Sequence, residues 1–185
     1  AEPRSFSSLK KEIPIKTPLF RFNYAKVIGG KFMDDKFMLL AIEEAKKGIE
    51  RGDGGPFGAV IVKDGQILGQ GHNQVLKNND PTCHGEIMAI HAACKKVGSF
   101  DLSGAEIYTT GYPCPMCLGA ILWANIGVVY YGCNVDDTEK IGFRDSAFYE
   151  RSKDENKAKF IHELKREECL KLYAEYAGIK DKKNY

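Results

Sequence analysis

No stretch of the sequence approaches the ~20 consecutive apolar residues that a membrane-spanning helix needs, so no span is expected. No N-terminal stretch pairs basic residues with an unbroken apolar run, so a retained secretory signal is not expected either. A strong charge of one sign is also missing. There are 27 basic against 25 acidic side chains, a net charge of +2. That near-balance disfavours a generally basic nucleic-acid binder. With 43% hydrophobic residues, it also excludes disorder of the whole chain. Tryptophan occurs once and histidine four times. His72, His91 and His162 have no metal-ligand partner at the usual spacing, and they read as structural or surface residues. Internal repeats are absent.

What is there is enough for one folded domain. The 185 residues include 20 aromatics, with 10 Phe and 9 Tyr. The charge is unevenly spread. Residues 1–33 hold seven basic and two acidic side chains, so the arm carries +5 and the body −3. Pro3, Pro14 and Pro18, a serine cluster and Gly29-Gly30 make residues 1–33 read as an extended basic arm. The body is expected at 34–185.

Asp34-Asp35 can cap a helix over about 37–50, where Phe37, Leu40, Ala41, Ala45 and Ile49 recur near helical spacing. Two apolar runs, 57–62 and 67–71, are separated by Lys63-Asp64-Gly65-Gln66, a hairpin signal. A helix over about 83–97, a strand over 105–109, a helix over 114–124 and a strand over 128–132 follow. A Lys/Glu-rich helix is expected over about 166–176, with a solvated face. Strands alternating with helices point to one α/β domain with three layers.

Six cysteines could make three disulfides, but disulfide frameworks belong mainly to small secreted domains without an adequate core. Cys114-Pro-Met-Cys117 instead reads as metal or redox chemistry, in an intracellular, cytoplasmic protein. Cys83, Cys94, Cys133 and Cys169 read as small buried residues.

His84-Gly85-Glu86 opens one expected helix, and Pro113-Cys114-Pro115-Met116-Cys117 opens the next. One strand lies between them. His84, Cys114 and Cys117 are three potential ligands to one zinc ion, which is the ligand count of a catalytic site with an open position. Helix N-termini favour thiolate. Two thiolates balance the charge of the metal. Zinc brings a bound water's pKa to about 7. Glu86, two residues from His84, can then move protons without occupying the metal. Either half alone is a weak signal. Together they form the signature of zinc-dependent nucleobase deaminases.

At this point the chain resembles the cytidine deaminase-like superfamily, and within it the bacterial guanine deaminases. The resemblance rests on Gly54-Gly-Pro-Phe-Gly-Ala-Val-Ile-Val62, His72-Asn73, Asn79-Asp-Pro-Thr82, His84-Gly-Glu86, Cys114-Pro-Met-Cys-Leu-Gly-Ala-Ile121, Gly142-Phe143, Asp145-Ser146 and Lys182-Lys-Asn-Tyr185. It implies a three-layer α/β/α fold with a five-stranded mixed sheet and one zinc ion per subunit. It implies a homodimer whose C-terminal segment is exchanged, placing Tyr185 over the partner's pocket. Asn73 would hydrogen-bond a base, Asp145 would read its donor edge, and Phe57 and Trp123 would pack on the ring. The implied reaction is hydrolysis of guanine to xanthine and ammonia.

Three departures stand out. Gly111-Tyr112 replaces the usual Cys-Glu before Pro-Cys, Gly85 stands where Ala is usual, and Arg144 stands where an acid is common. They keep other small substrates open, including a nucleoside such as guanosine, cytosine or an aminotriazine. A tRNA adenosine deaminase and a non-enzymatic zinc-stabilised interaction protein are further alternatives. The −3 body gives a polyanion little to bind.

Overall fold

A computed structural model describes residues 27–28, 31–32, 35–153 and 161–180. The chain divides into two compact units, 1–33 and 34–185. In the first, β1 (Val27–Ile28) and β2 (Lys31–Phe32) pair antiparallel, Val27 opposite Phe32.

In the second unit, α1 (Asp35–Arg51) precedes β3 (Gly58–Lys63) and β4 (Gln66–His72). A short α2 (Val75–Asn78) leads into α3 (Gly85–Val97), β5 (Glu106–Gly111), α4 (Pro115–Trp123) and β6 (Val128–Cys133). Then come α5 (Val135–Lys140), α6 (Asp145–Arg151) and α7 (Arg166–Ala177).

Strands β3 and β4 are joined by Asp64 and Gly65, both at positive φ (49° and 74°), as a type I′ hairpin turn requires. The sheet order is β4-β3-β5-β6. The β3–β4 and β3–β5 pairs are antiparallel and β5–β6 is parallel. The sheet is therefore mixed, but it has four strands among the described residues rather than five. No described strand lies beyond β6, because the segment after it forms the short helices α5 and α6.

Alternation along the strands builds two cores. Val60, Val62 and Tyr108 face α1, meeting Phe37 and Ala41. Ala59, Ile61 and Ile107 face the other way, meeting Ala89, Ile90 and Ala93 of α3 and Ile121 of α4. Two helical layers thus enclose the sheet. This leaves β5 buried on both faces, with its C-terminal end pointing at the starts of α3 and α4.

Helix α7 is exposed along its length, in keeping with a solvated face. Among the four cysteines read as buried, Cys83 is buried, whereas Cys133 and Cys169 are exposed. Cys133 ends a strand on the sheet's edge and Cys169 sits on α7, so neither position offers a core. No described helix is long and apolar enough to cross a membrane.

Candidate active site

His84 and Cys114 are the N-caps of α3 and α4, both with extended backbone (ψ 158° and 167°). Pro115 takes the first helical position, where its missing N–H costs nothing. Cys117 follows within the first turn and is fully buried. The crossover α3-β5-α4 therefore aims two helix starts at one point.

There the Nδ1 of His84 lies 3.6 Å from the Sγ of Cys114 and 3.5 Å from that of Cys117. The three candidate ligand atoms all lie within 4.8 Å of one another. A tetrahedral ion with Zn–N near ~2.0 Å and Zn–S near ~2.3 Å sets N···S separations of about 3.6 Å. The side chains are thus already spaced for zinc.

The charges agree. A hydrogen bond from Cys117 is the largest influence on Cys114; with help from His84 and against the opposing effect of burial, it holds the thiol down to about 4. Cys117 is pushed up, first by its bond to that thiolate and then by burial. His84 is raised, chiefly by Cys114. The helix N-termini add their partial positive charge.

Glu86 is in the first turn of α3 and only 6% exposed. Burial pushes its carboxyl up, as does the negative charge of Cys114. A buried carboxyl raised above the usual carboxylate range beside a candidate metal site is suited to giving and taking protons.

Asn73, just after β4, is 3% exposed. Its backbone N–H donates to the carbonyl of Phe57 (2.8 Å), and its Oδ1 accepts from the backbone N–H of Val75 (3.2 Å). The oxygen is thus committed to the fold. Among the described residues, the amide Nδ2 has no hydrogen-bond partner. Gly54 makes room for this side chain, since a Cβ there would lie 2.0 Å from Oδ1.

Phe57 packs edge-on against Phe143 (ring centroids 4.8 Å apart, planes at 83°). Its ring also lies 3.3 Å from where a Cβ on Gly111 would sit. A Cβ on Gly85 would lie 2.8 Å from its carbonyl oxygen. Gly85 and Gly111, two of the sequence's departures, thus both border Phe57.

Asp145 is the first residue of α6 and half-buried. Burial raises its carboxyl, Cys114 raises it further, and His84 opposes both. It therefore shares the electrostatic environment of the candidate zinc ligands. Arg144 lies over the Phe148 ring, 5.3 Å from the centroid.

Trp123 is not part of this cluster. It ends α4, at the opposite end of the helix from Cys114, and is 64% exposed beside the likewise exposed Leu122. The helix direction explains this, because eight residues of helix carry it about 12 Å from its start. Tyr185 lies outside the described residues.

Two further side chains border the site. Tyr149 of α6 donates its phenol hydrogen to the carbonyl of Pro113. Burial, reinforced by Tyr112, Cys114 and Asp145, pushes that phenol up to about 12. Tyr112 stands between Tyr131 (centroids 4.9 Å apart) and Tyr149 (6.1 Å). Sequence reading flagged Tyr112 but missed Tyr149, whose only signal is its spacing of four residues from Asp145.

The fold and the site together define a zinc-dependent hydrolytic deaminase. The chain belongs to the cytidine and deoxycytidylate deaminase zinc-binding family, whose model matches residues 32–133. It is 48% identical to the guanine deaminase of Bacillus subtilis (strain 168) over 115 residues, 62% of this chain and 74% of that protein. It is 41% identical to the tRNA-specific adenosine deaminase of Aquifex aeolicus (strain VF5) over 95 residues, 51% of this chain and 62% of that protein. Its structure is similar to that of guanine deaminase from Bacillus subtilis, with a TM-score of 0.75 and 38% identity. That match covers 83% of this chain and 99% of the other. It is also similar to a guanine deaminase structure from Nitrosomonas europaea, with a TM-score of 0.58 and 28% identity, covering 75% of this chain and 80% of that one.

Proposed function

We propose that this deaminase acts on a free purine base, converting guanine and water to xanthine and ammonia. The observation that carries the reading is Asn73, a buried amide whose oxygen is tied to Val75 while its Nδ2 is unengaged among the described residues. Such a group serves to donate a hydrogen bond to a base. Asp145, a carboxylate beside the zinc ligands, complements the N–H donors of guanine's edge. Phe57 offers its ring to the base's face. Similarity to guanine deaminases over most of the chain supports the same choice.

His84, Cys114 and Cys117 would hold a zinc ion, which when bound would lower the pKa of a water at its open position to near neutral. Glu86 takes the water's proton and passes it to the ring nitrogen beside the amino-bearing carbon. The oxygen forms its bond to that carbon. Glu86 then takes the proton of the new C–O–H group and delivers it to the amino nitrogen, so that the C=O forms as the C–N bond breaks and ammonia leaves. One carboxylate acts as base and then as acid.

We assign the protein to a homodimer in the cytoplasm, where the two thiolate ligands stay reduced. The exposed Leu122 and Trp123 supply an apolar face for the second copy, and through it Trp123 packs on the partner's bound base. Exchange of the C-terminal segment brings Tyr185 to the same place. Size-exclusion chromatography with light scattering should give a mass near twice 20.6 kDa. A 20.6 kDa species would refute the dimer.

Residues 1–33 are assigned as a basic arm outside the catalytic domain at 34–185. Identity of about 40% with tRNA-specific adenosine deaminases makes RNA the competing substrate. Ammonia release is to be measured from guanine, guanosine, adenine, cytosine and an aminotriazine, with a tRNA anticodon stem-loop in parallel. Guanine is expected to dominate. Robust release from cytosine or the stem-loop, with none from guanine, would refute the assignment.

A further inference from the structure

The geometry points to Tyr149 as a positioning residue: its hydrogen bond to the Pro113 carbonyl fixes α6, and with it Asp145, relative to the zinc-binding turn. The inference rests on the guanine reading for Asp145's role, and on the following observations.

Helix α6 has seven residues, none of them buried. It contributes nothing to either hydrophobic core. Its place is therefore set by a few side-chain ties rather than by packing. Before the helix, Phe143 sets its ring against Phe57. In its first turn, Ser146 donates to the carboxylate of Glu139 on α5 (2.7 Å). Farther along, Tyr149 donates to Pro113.

The first tie reaches the wall of the site, and the second stays within the α5–α6 pair. The third reaches the zinc-binding turn, because Pro113 directly precedes Cys114. Asp145 and Tyr149 are four residues apart, so they share one face of the helix. The same face thus carries the proposed base reader and the tie to the metal turn. A shift of α6 moves Asp145 relative to the reacting atoms, and misplacement by about 1 Å can cost ~100-fold.

Tyr112 completes the arrangement. Its backbone N–H donates to the Cys133 carbonyl (2.8 Å), which continues the β5–β6 ladder past Gly111. Its ring stands between Tyr131 and Tyr149. The phenol at this departure from the usual Cys-Glu gives Tyr149 an aromatic neighbour anchored in the sheet.

The test is steady-state ammonia release from guanine and from 2-aminopurine, which keeps the reacting amine but lacks guanine's ring N–H donor. Four zinc-loaded proteins are compared: wild type, Tyr149→Phe, Asp145→Asn and the double variant. Tyr149→Phe keeps the ring beside Tyr112 and removes only the hydroxyl, and zinc content and melting temperature report whether it folds as wild type does. KM for guanine is expected to rise about tenfold in Tyr149→Phe, the upper range for one lost hydrogen bond, with kcat changed less than KM. The preference for guanine over 2-aminopurine is expected to fall in parallel. In the double variant both parameters should match Asp145→Asn alone, because Tyr149 acts through Asp145.

Wild-type KM and preference in Tyr149→Phe would overturn the inference. So would effects of the two substitutions that multiply independently. If wild type releases no ammonia from guanine but does so from another base, the substrate assignment fails. The same four proteins then test the tie on that base's KM, with non-multiplying effects supporting it and multiplying effects overturning it.

Discussion

His84 and Cys114 hold the same station in two different helices: each is an N-cap, and their ligand atoms meet 3.6 Å apart. The metal site is therefore a junction between α3 and α4 as much as a reaction centre. A ligand that binds only the folded chain stabilises it by mass action. Removing zinc with a chelator should lower the melting temperature on the order of 10 °C, for a protein held at about a thousandfold excess over Kd. Scanning calorimetry of the loaded and stripped protein checks this. Zinc addition should restore both the transition and activity.

Glu86 has a separate task from the ligands. Glu86→Gln keeps shape and polarity but cannot cycle a proton. Turnover is expected to fall by roughly 100- to 10,000-fold, the usual contribution of a general acid/base, with zinc still bound at one ion per chain. Kinetics alongside elemental analysis measures both. A variant that retains zinc and full turnover would remove Glu86 from the mechanism.

Gly54 matters because of what stands over it. A Cβ at this position would lie 2.0 Å from Asn73 Oδ1. The collision is with the side chain that is proposed to bind the base. Gly54→Ala should therefore rotate Asn73 and raise KM for guanine by about tenfold or more, with zinc content unchanged. Titration of KM across a set of bases would locate the effect, since the loss should be greatest for those Asn73 contacts.

A buried polar network explains a residue that looked idle in the sequence. His72 approaches Asp53 (2.8 Å) through Nε2 and Glu44 (3.4 Å) through Nδ1. It thereby links α1 to the loops that flank Asn73. The bond to His72 is the largest influence on Asp53 and lowers it, against burial and with help from Lys77. For Glu44, burial raises the carboxyl most, but Lys47 and His72 together outweigh it and leave it lowered.

Both carboxyls thus have folded-state values below their unfolded ones. Their stabilisation is fully present above the unfolded values of about 3.9 and 4.3 and is lost as pH falls through the folded values. His72→Leu removes the partner, so acid unfolding should begin at a pH higher by roughly half a unit. Circular dichroism between pH 6 and pH 2 would show the shift, and an unmoved midpoint would contradict it.

Much of this was legible because the deciding signals are local. Asp64-Gly65 states its own turn, since those residue types accept positive φ. His84, Cys114 and Cys117 are readable because metal chemistry limits both residue type and spacing, and helix starts bring them together. The unreadable parts are those set by tertiary context. Tyr149 gains meaning only once α6 lies beside Pro113. His72 has no ligand-type neighbour in sequence, and its partners are 19 and 28 residues away. Trp123 shares a helix with two candidate zinc ligands but stands at its other end, a separation that only the folded helix displays. The fifth strand was an inference from resemblance, and nothing in the local sequence after β6 supplied one.

The edge of that four-stranded sheet has a further meaning. Strand β6 carries Val128, Val129, Tyr130 and Tyr131, and among the described residues its outer side is bordered by no strand. An unpaired apolar edge offers its amides and carbonyls to any extended chain. Such an edge is a template for β-rich aggregation, and a lysine introduced at Tyr131 would act as a gatekeeper against it.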